Sequence, residues 1–149
     1  MLDNIKYLVC IKTIDKLILE KNYDLALEKL NYLIAQEYKP SETFLKRGQL
    51  CHKLLMLDDA YSDFTYIITH CAKKEKAYQE RLMLNFEIGN FYEAIKDADK
   101  ILTWDEDNFE VKRIKFLSLV YSNEEDIAKD FILNLFEFNK YKTIQFCIR

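Results

Sequence analysis

Glycine and proline are nearly missing from this chain: Gly48, Gly89 and Pro40 are the only three in 149 residues. Turn-rich all-β folds need glycine where φ is positive and proline to punctuate, so their scarcity excludes sandwiches and barrels and points to helices. Two glycines so far apart also exclude a glycine-rich phosphate loop. A basic excess is missing too, the net charge being −3. The longest basic cluster, Lys73-Lys74 with Lys76, is broken by Glu75 and reads as a solvated turn. Proteins that track phosphates carry more positive charge than this, so nucleic acid is not an expected partner. No apolar run approaches the roughly 20 residues of a membrane span, and no membrane partner is expected. Asp3 and Lys6 interrupt the first apolar residues, which argues against a secretory leader. The four cysteines, Cys10, Cys51, Cys71 and Cys147, are dispersed and form no C-x-x-C pair. A reducing, cytoplasmic location with buried or partly buried thiols is the expectation.

What is present is an ordinary globular composition, 50% hydrophobic and 32% charged, enough for one folded domain over 1–149. Within it lies a period. Ala26, Ala60, Ala94 and Ala128 stand 34 residues apart. Their surroundings move with them: Leu30, Phe64, Ala98 and Ile132 follow by four, and Leu33, Ile67, Ile101 and Leu135 by seven. Offsets of four and seven share one helical face, so each alanine opens an apolar stripe. The pattern predicts two short antiparallel helices per unit, with units at about 7–40, 41–74, 75–108 and 109–142 and a tail at 143–149. Ser41 with Thr43 is expected to cap the first helix of the second unit, and Asp58 the second, after a turn around 56–58. Gly89-Asn90 and Ser122-Asn123 mark the matching turns of the third and fourth units.

A 34-residue spacing with this alanine resembles the tetratricopeptide repeat family. The second unit carries the resemblance best: Phe44, Arg47-Gly48 and Cys51 fill the first-helix slots, and Ala60-x3-Phe64 fills the second. The third unit follows with Tyr78, Arg81-Leu82, Asn85 and the turn Gly89-Asn90-Phe91-Tyr92-Glu93-Ala94. Cys10 and Lys112 stand in the tryptophan slots of the end units, which are less regular. The resemblance implies an all-α, right-handed α-solenoid of four tetratricopeptide-like helical hairpins, closed by a short C-terminal helix.

Chemistry finds little support. Cys51-His52 and His70-Cys71 invite a zinc site, but the antiparallel hairpin sets His70 beside 41–45, roughly 9 Å or more along the helix from Cys51. Adjacent residues of a helix point in different directions, so Cys51 and His52 make no nucleophile-base pair. The acid runs Asp58-Asp59, Asp105-Glu106-Asp107 and Glu124-Glu125-Asp126 fall at turns or first helical turns, where capping and the helix dipole account for them. Trp104, just before the second of these runs, is expected to pack across the junction of the third and fourth units. The chain therefore reads as a non-enzyme with no cofactor and no metal.

In the resembling family, ligands lie along a concave surface lined by first helices. Carried over, those slots give a peptide-binding groove of Leu45, Gln49, His52, Lys76, Gln79, Met83, Phe86, Arg113, Leu117, Val120 and Tyr121. Such a surface suits an amphipathic helix or an extended apolar segment of a protein partner. The slots that clamp acidic chaperone tails in some members hold Ile11, Asp15, Lys46, Lys76 and Glu80, and only Lys76 fits. The expected function is an interaction module or adaptor. The alternative is a cytoplasmic chaperone holding a hydrophobic client such as a secretion substrate. Phe131, Leu135, Phe136 and Phe138, continued by Tyr141, Ile144, Phe146 and Ile148, are too apolar for a solvated cap. Either the tail folds back or two chains stack these ends as a homodimer.

If the alanines sit between closely packed helices, Ala60→Leu or Ala94→Leu costs about 1–3 kcal/mol, and Lys73→Ala less than about 0.5 kcal/mol. Urea denaturation measures this, and equal effects would mean that the alanine column is not the interface.

Overall fold

The computed structural model describes the backbone of residues 2–138 and the side chains of residues 5–135. Eight helices and no strand occur among the described residues: α1 (Leu2–Leu19), α2 (Tyr23–Ala35), α3 (Pro40–Lys53), α4 (Leu57–His70), α5 (Glu75–Glu87), α6 (Phe91–Leu102), α7 (Phe109–Tyr121) and α8 (Glu125–Phe138). The chain forms two compact units, Met1–Ala77 and Tyr78–Arg149, and the boundary falls within α5. The expected short helix at 143–149 and the apolar tail residues Tyr141, Ile144, Phe146 and Ile148 lie outside the described residues.

The 34-residue spacing is written into the backbone. The odd-numbered helices end at Leu19, Lys53, Glu87 and Tyr121, and the even-numbered ones begin at Tyr23, Leu57, Phe91 and Glu125. Each turn between them is three residues long, and its middle residue is left-handed: Lys21 (φ 61°), Leu55 (φ 60°), Gly89 (φ 77°) and Asn123 (φ 61°). The third turn residue donates its N–H back to the carbonyl of Leu17, Cys51, Asn85 or Leu119 at 2.8–3.0 Å. This closure satisfies carbonyls that a helix end leaves open. It requires positive φ whatever the side chain, at roughly 1–2 kcal/mol for a residue with a Cβ.

The expected caps need correction. Met56, not Asp58, is the N-cap of α4, and the turn is 54–56 rather than 56–58. Lys39 in the left-handed region caps α3, with Pro40 at its start, so neither Ser41 nor Thr43 is the N-cap. Pro40 suits that place because the first helical N–H has no partner to lose. The Ser41 hydroxyl instead donates to the Lys73 carbonyl at 3.2 Å, and Thr43 donates to the Tyr38 carbonyl at 2.6 Å.

In the first unit, Tyr7, Ile14 and Leu17 of α1 pack with Ala26, Leu30 and Leu33 of α2 and Leu50 of α3. The α3–α4 pair is tighter still. A Cβ built on Gly48 would lie 2.6 Å from the Phe64 ring, so the ring occupies the space that a side chain would need. Arg47 spans the same interface, with Nε and Nη2 donating to the two carboxylate oxygens of Asp63 at 2.9 and 2.6 Å and Nη1 to Asn31 at 2.6 Å.

In the second unit, Leu82 of α5 packs with Ala94, Ala98 and Ile101 of α6 and Val111 and Ile114 of α7. Here Arg81 makes the same two-pronged pair with Asp97, at 2.9 and 2.7 Å, and buried Asn85 adds a bond to Asp97 at 3.2 Å. Arg81 and Asp97 stand 34 residues after Arg47 and Asp63. The positions equivalent to Gly48 and Phe64 hold Leu82 and Ala98, all four buried. Bulk has moved from one helix of the hairpin to the other while the gap remains filled.

That exchange predicts compensation. Phe64→Ala alone leaves a cavity and costs about 3–5 kcal/mol. Gly48→Leu alone drives a side chain into the Phe64 ring and costs at least as much. The double variant Gly48→Leu/Phe64→Ala rebuilds the second unit's arrangement and recovers about 2 kcal/mol of the summed loss. Strictly additive losses in urea denaturation would show that the two positions do not share one space.

Candidate functional site

The expected groove residues fall into one set in each unit. In the first, Leu45 is half-buried, Gln49 exposed and His52 half-buried on α3, and Lys76 is exposed in the first turn of α5. Leu45 and Lys76 share a hollow of about 380 Å³ with Ser41, Glu42, Ile67 and Lys73; Gln49 and His52 are not among its lining residues.

In the second unit, Gln79 and Met83 of α5 line a recess of about 250 Å³ with Asn108, Glu110, Val111 and Ile114. At the other ends of the same helices, Phe86 faces Tyr121 with ring centroids 6.1 Å apart. The amino-terminal parts of α5 and α7 therefore meet, as do their carboxyl ends, so the two helices run parallel. Phe91, the first residue of α6, completes the cluster at 5.9 Å from Phe86 and 5.3 Å from Tyr121. Tyr121 stays 57% exposed, and Met83 and Val120 are also exposed. Leu117 is half-buried on α7 and lines neither feature. Arg113 is half-buried and pairs through Nε and Nη2 with both carboxylate oxygens of Glu110, so its charge is already answered.

Phe91 escaped the reading of the sequence because it belongs to a second helix, whereas the carried-over slots are all on first helices. Its signal was its place three residues before Ala94, beside Gly89-Asn90. Trp104 packs edge-on against Tyr78 of α5 at 5.3 Å, with the Lys100 ammonium 5.2 Å from its ring, a contact within its own hairpin. The first unit has a counterpart in Arg47 over Phe44, Phe44 stacked on Tyr66 at 4.0 Å, and Tyr66 on His70 at 4.6 Å. These stacks lie within a hairpin, with Trp104 and Tyr66 still partly open to solvent.

The titratable groups are arranged for burial and pairing. Asp63 and Asp97 are each 1% exposed. Burial pushes both carboxyls above the usual range, and the guanidinium bonds of Arg47 and Arg81 pull the other way. Cys51 is 2% exposed, and burial, helped by the nearby Asp63 and Asp59 charges, pushes its thiol up to about 11. A nucleophilic cysteine needs the opposite shift. His70 lies elsewhere on α4, its Nδ1 2.6 Å from the Thr69 hydroxyl. Among the described residues, no three His, Cys, Asp or Glu side chains are grouped to hold a metal ion, and no helix is long and apolar enough to cross a membrane. No protein-family model matches the chain, and no curated protein matches it.

With a folded-state value near 11, roughly one Cys51 thiol in a thousand is ionised at pH 8. Iodoacetamide is therefore expected to label half-buried Cys10 well before Cys51 in the native protein, as read by mass spectrometry. Equal labelling rates would contradict the burial. The sign for stability follows: a raised folded-state value leaves this contribution intact below about pH 9, and it is lost as pH rises toward 11.

Proposed function

We propose that the chain is a tetratricopeptide-like protein that binds a polypeptide segment non-enzymatically, in a groove between the parallel helices α5 and α7. One observation carries the reading. Phe86, Phe91 and Tyr121 gather at the carboxyl ends of those helices with Tyr121 largely uncovered, and the recess beside Met83 extends the same apolar surface toward their amino-terminal parts. Large aromatic side chains left open beside a recess are the usual anchors of a peptide interface. The recurrence of helix ends, left-handed turns and closing hydrogen bonds at 34-residue spacing supports the family reading, and with it a right-handed solenoid of four hairpins. The buried thiol and the paired carboxyls support binding over catalysis. Self-association through the last hairpin belongs to the same reading, since α8 exposes Ile127 (54%) and Leu133 (59%).

Selection of a displayed library of random 12-residue peptides on the full chain tests it. Enriched peptides are expected to lose at least tenfold in affinity, about 1.4 kcal/mol, against Phe86→Ser/Tyr121→Ser, with helicity by circular dichroism unchanged. Undiminished affinity in a folded double variant would remove the groove.

A further inference from the structure

We infer that the first unit carries a binding site of its own, a socket on α1 and α2 that takes an aromatic side chain of a polypeptide partner. It shares no residue with the α5–α7 groove and stands or falls without it. The 34-residue period puts Cys10, Phe44 and Tyr78 at one slot of the first helix. In the second hairpin Phe44 stacks on Tyr66 at 4.0 Å, and in the third Tyr78 meets Trp104 edge-on at 5.3 Å. In both, a first-helix ring closes against a ring of the second helix. The first hairpin has the second-helix ring, Tyr32, at the position equivalent to Tyr66, but Cys10 brings no ring to meet it. Tyr32 is 59% exposed where Tyr66 is 37%, and among the described residues no ring packs on it.

Cys10 and Tyr32 both line a hollow of about 380 Å³, together with Tyr7, Val9, Leu33 and Tyr38. An apolar cavity of roughly 150 Å³ is enough to hold benzene, so a phenyl or indole ring fits. Three tyrosines on the wall favour a ring over an aliphatic chain, because offset or edge-on aromatic pairs add to the burial of apolar area. The apolar surface continues from the socket along α1. Ile5, Leu8 and Val9 share one face and are 56, 53 and 58% exposed, while Tyr7, Ile14 and Leu17 bury another face in the core. A helix that is apolar on both sides is stable in water only when both are covered. A free aromatic molecule would fill the socket and leave that face in water, whereas a polypeptide covers it with the residues that flank its anchor.

Charge selects the flank of the anchor. Lys6 lines the hollow itself, and the Lys39 ammonium stands 5.0 Å from the centroid of the Tyr7 ring. Among the described residues no carboxylate lines the hollow. An aspartate or glutamate beside the anchor ring is drawn to this wall, and a lysine or arginine there is repelled. Complementarity of this kind sorts partners more than it deepens affinity.

Protection of Cys10 decides the matter, because its thiol lies on the socket wall. Peptides enriched from the random library on the full chain are added during iodoacetamide labelling, and mass spectrometry reads Cys10 against half-buried Cys71 as the internal reference. One class is expected to slow labelling of Cys10 alone and to carry phenylalanine, tyrosine or tryptophan beside an acidic residue. Its affinity is expected to fall about tenfold for Cys10→Phe, which brings the second hairpin's ring to this slot, and about threefold for Lys6→Gln. No peptide that protects Cys10, protecting peptides without an aromatic residue, or undiminished affinity in a folded Cys10→Phe chain overturns the socket. Unchanged affinity for Lys6→Gln overturns the acidic flank. Protection by free indole-3-acetate as strong as by the peptides, or protection that grows with the concentration of the chain alone, overturns the polypeptide partner in favour of a small molecule or a second copy.

Discussion

Each hairpin depends on how closely its two helices approach. Ala26, Ala60 and Ala94 are fully buried and Ala128 nearly so, each at the point where the second helix begins. Its amide makes the first hydrogen bond of that helix, to the carbonyl of Asn22, Met56, Asn90 or Glu124. A methyl group there lets the second helix start against the first with no side chain between. The three-residue turn then becomes possible, and the turn in turn demands a left-handed residue. In α3 and α4 the same closeness is bought by Gly48, over which the Phe64 ring lies flat enough to exclude a Cβ.

Closeness also explains the buried ion pairs. Arg47 reaches Asp63, and Arg81 reaches Asp97, only because helix spacing matches the length of an arginine, and both oxygens of each carboxylate are satisfied. Desolvation makes such pairs a weak source of net stability, but loss of one partner strands a buried charge at about 3–5 kcal/mol. Their effect is to penalise any sliding of one helix along the other, since a shift of one turn separates the charges. The outer hairpins have other contents at these positions. Thr13 and Lys29 stand in the first, and in the last Lys115 lies over the Phe131 ring at 4.7 Å and pairs with Asp99.

Much of the all-helical fold was legible because it rests on a period. The alanine column and its stripe at plus four and plus seven are buried as the spacing implies, through Leu30, Leu33, Phe64, Ile67, Ala98 and Ile101. The turns were legible where the residue type advertises the backbone, at Gly89 and Asn123. They were not at Leu55 and Lys21, whose side chains give no sign of positive φ and adopt it because hairpin closure outweighs the local preference. Helix starts were misplaced for a related reason: Asp58 and Ser41 are good caps in isolation, but the turn geometry had already chosen Met56 and Lys39. The arginine-aspartate pairs were visible as a spacing of 16 that recurs after 34, a signal that is easy to pass over because neither residue is apolar. Of the expected groove residues, Phe86 and Tyr121 come together in space, whereas Phe91 comes from a second helix, and second helices supply none of the carried-over slots.

The exchange of Gly48 and Phe64 for Leu82 and Ala98 bears on how such a chain can diverge. A hairpin whose two helices divide a fixed volume between them is inherited as a whole. A genetic crossover falling between α3 and α4, or between α5 and α6, would join Gly48 to Ala98 and leave a void, or Leu82 to Phe64 and force a clash. A crossover in the connections after α4 or α6 would carry matched partners together. Shuffling, insertion and loss of material in this chain are thus steered toward the boundaries of complete hairpins by the division of space inside each.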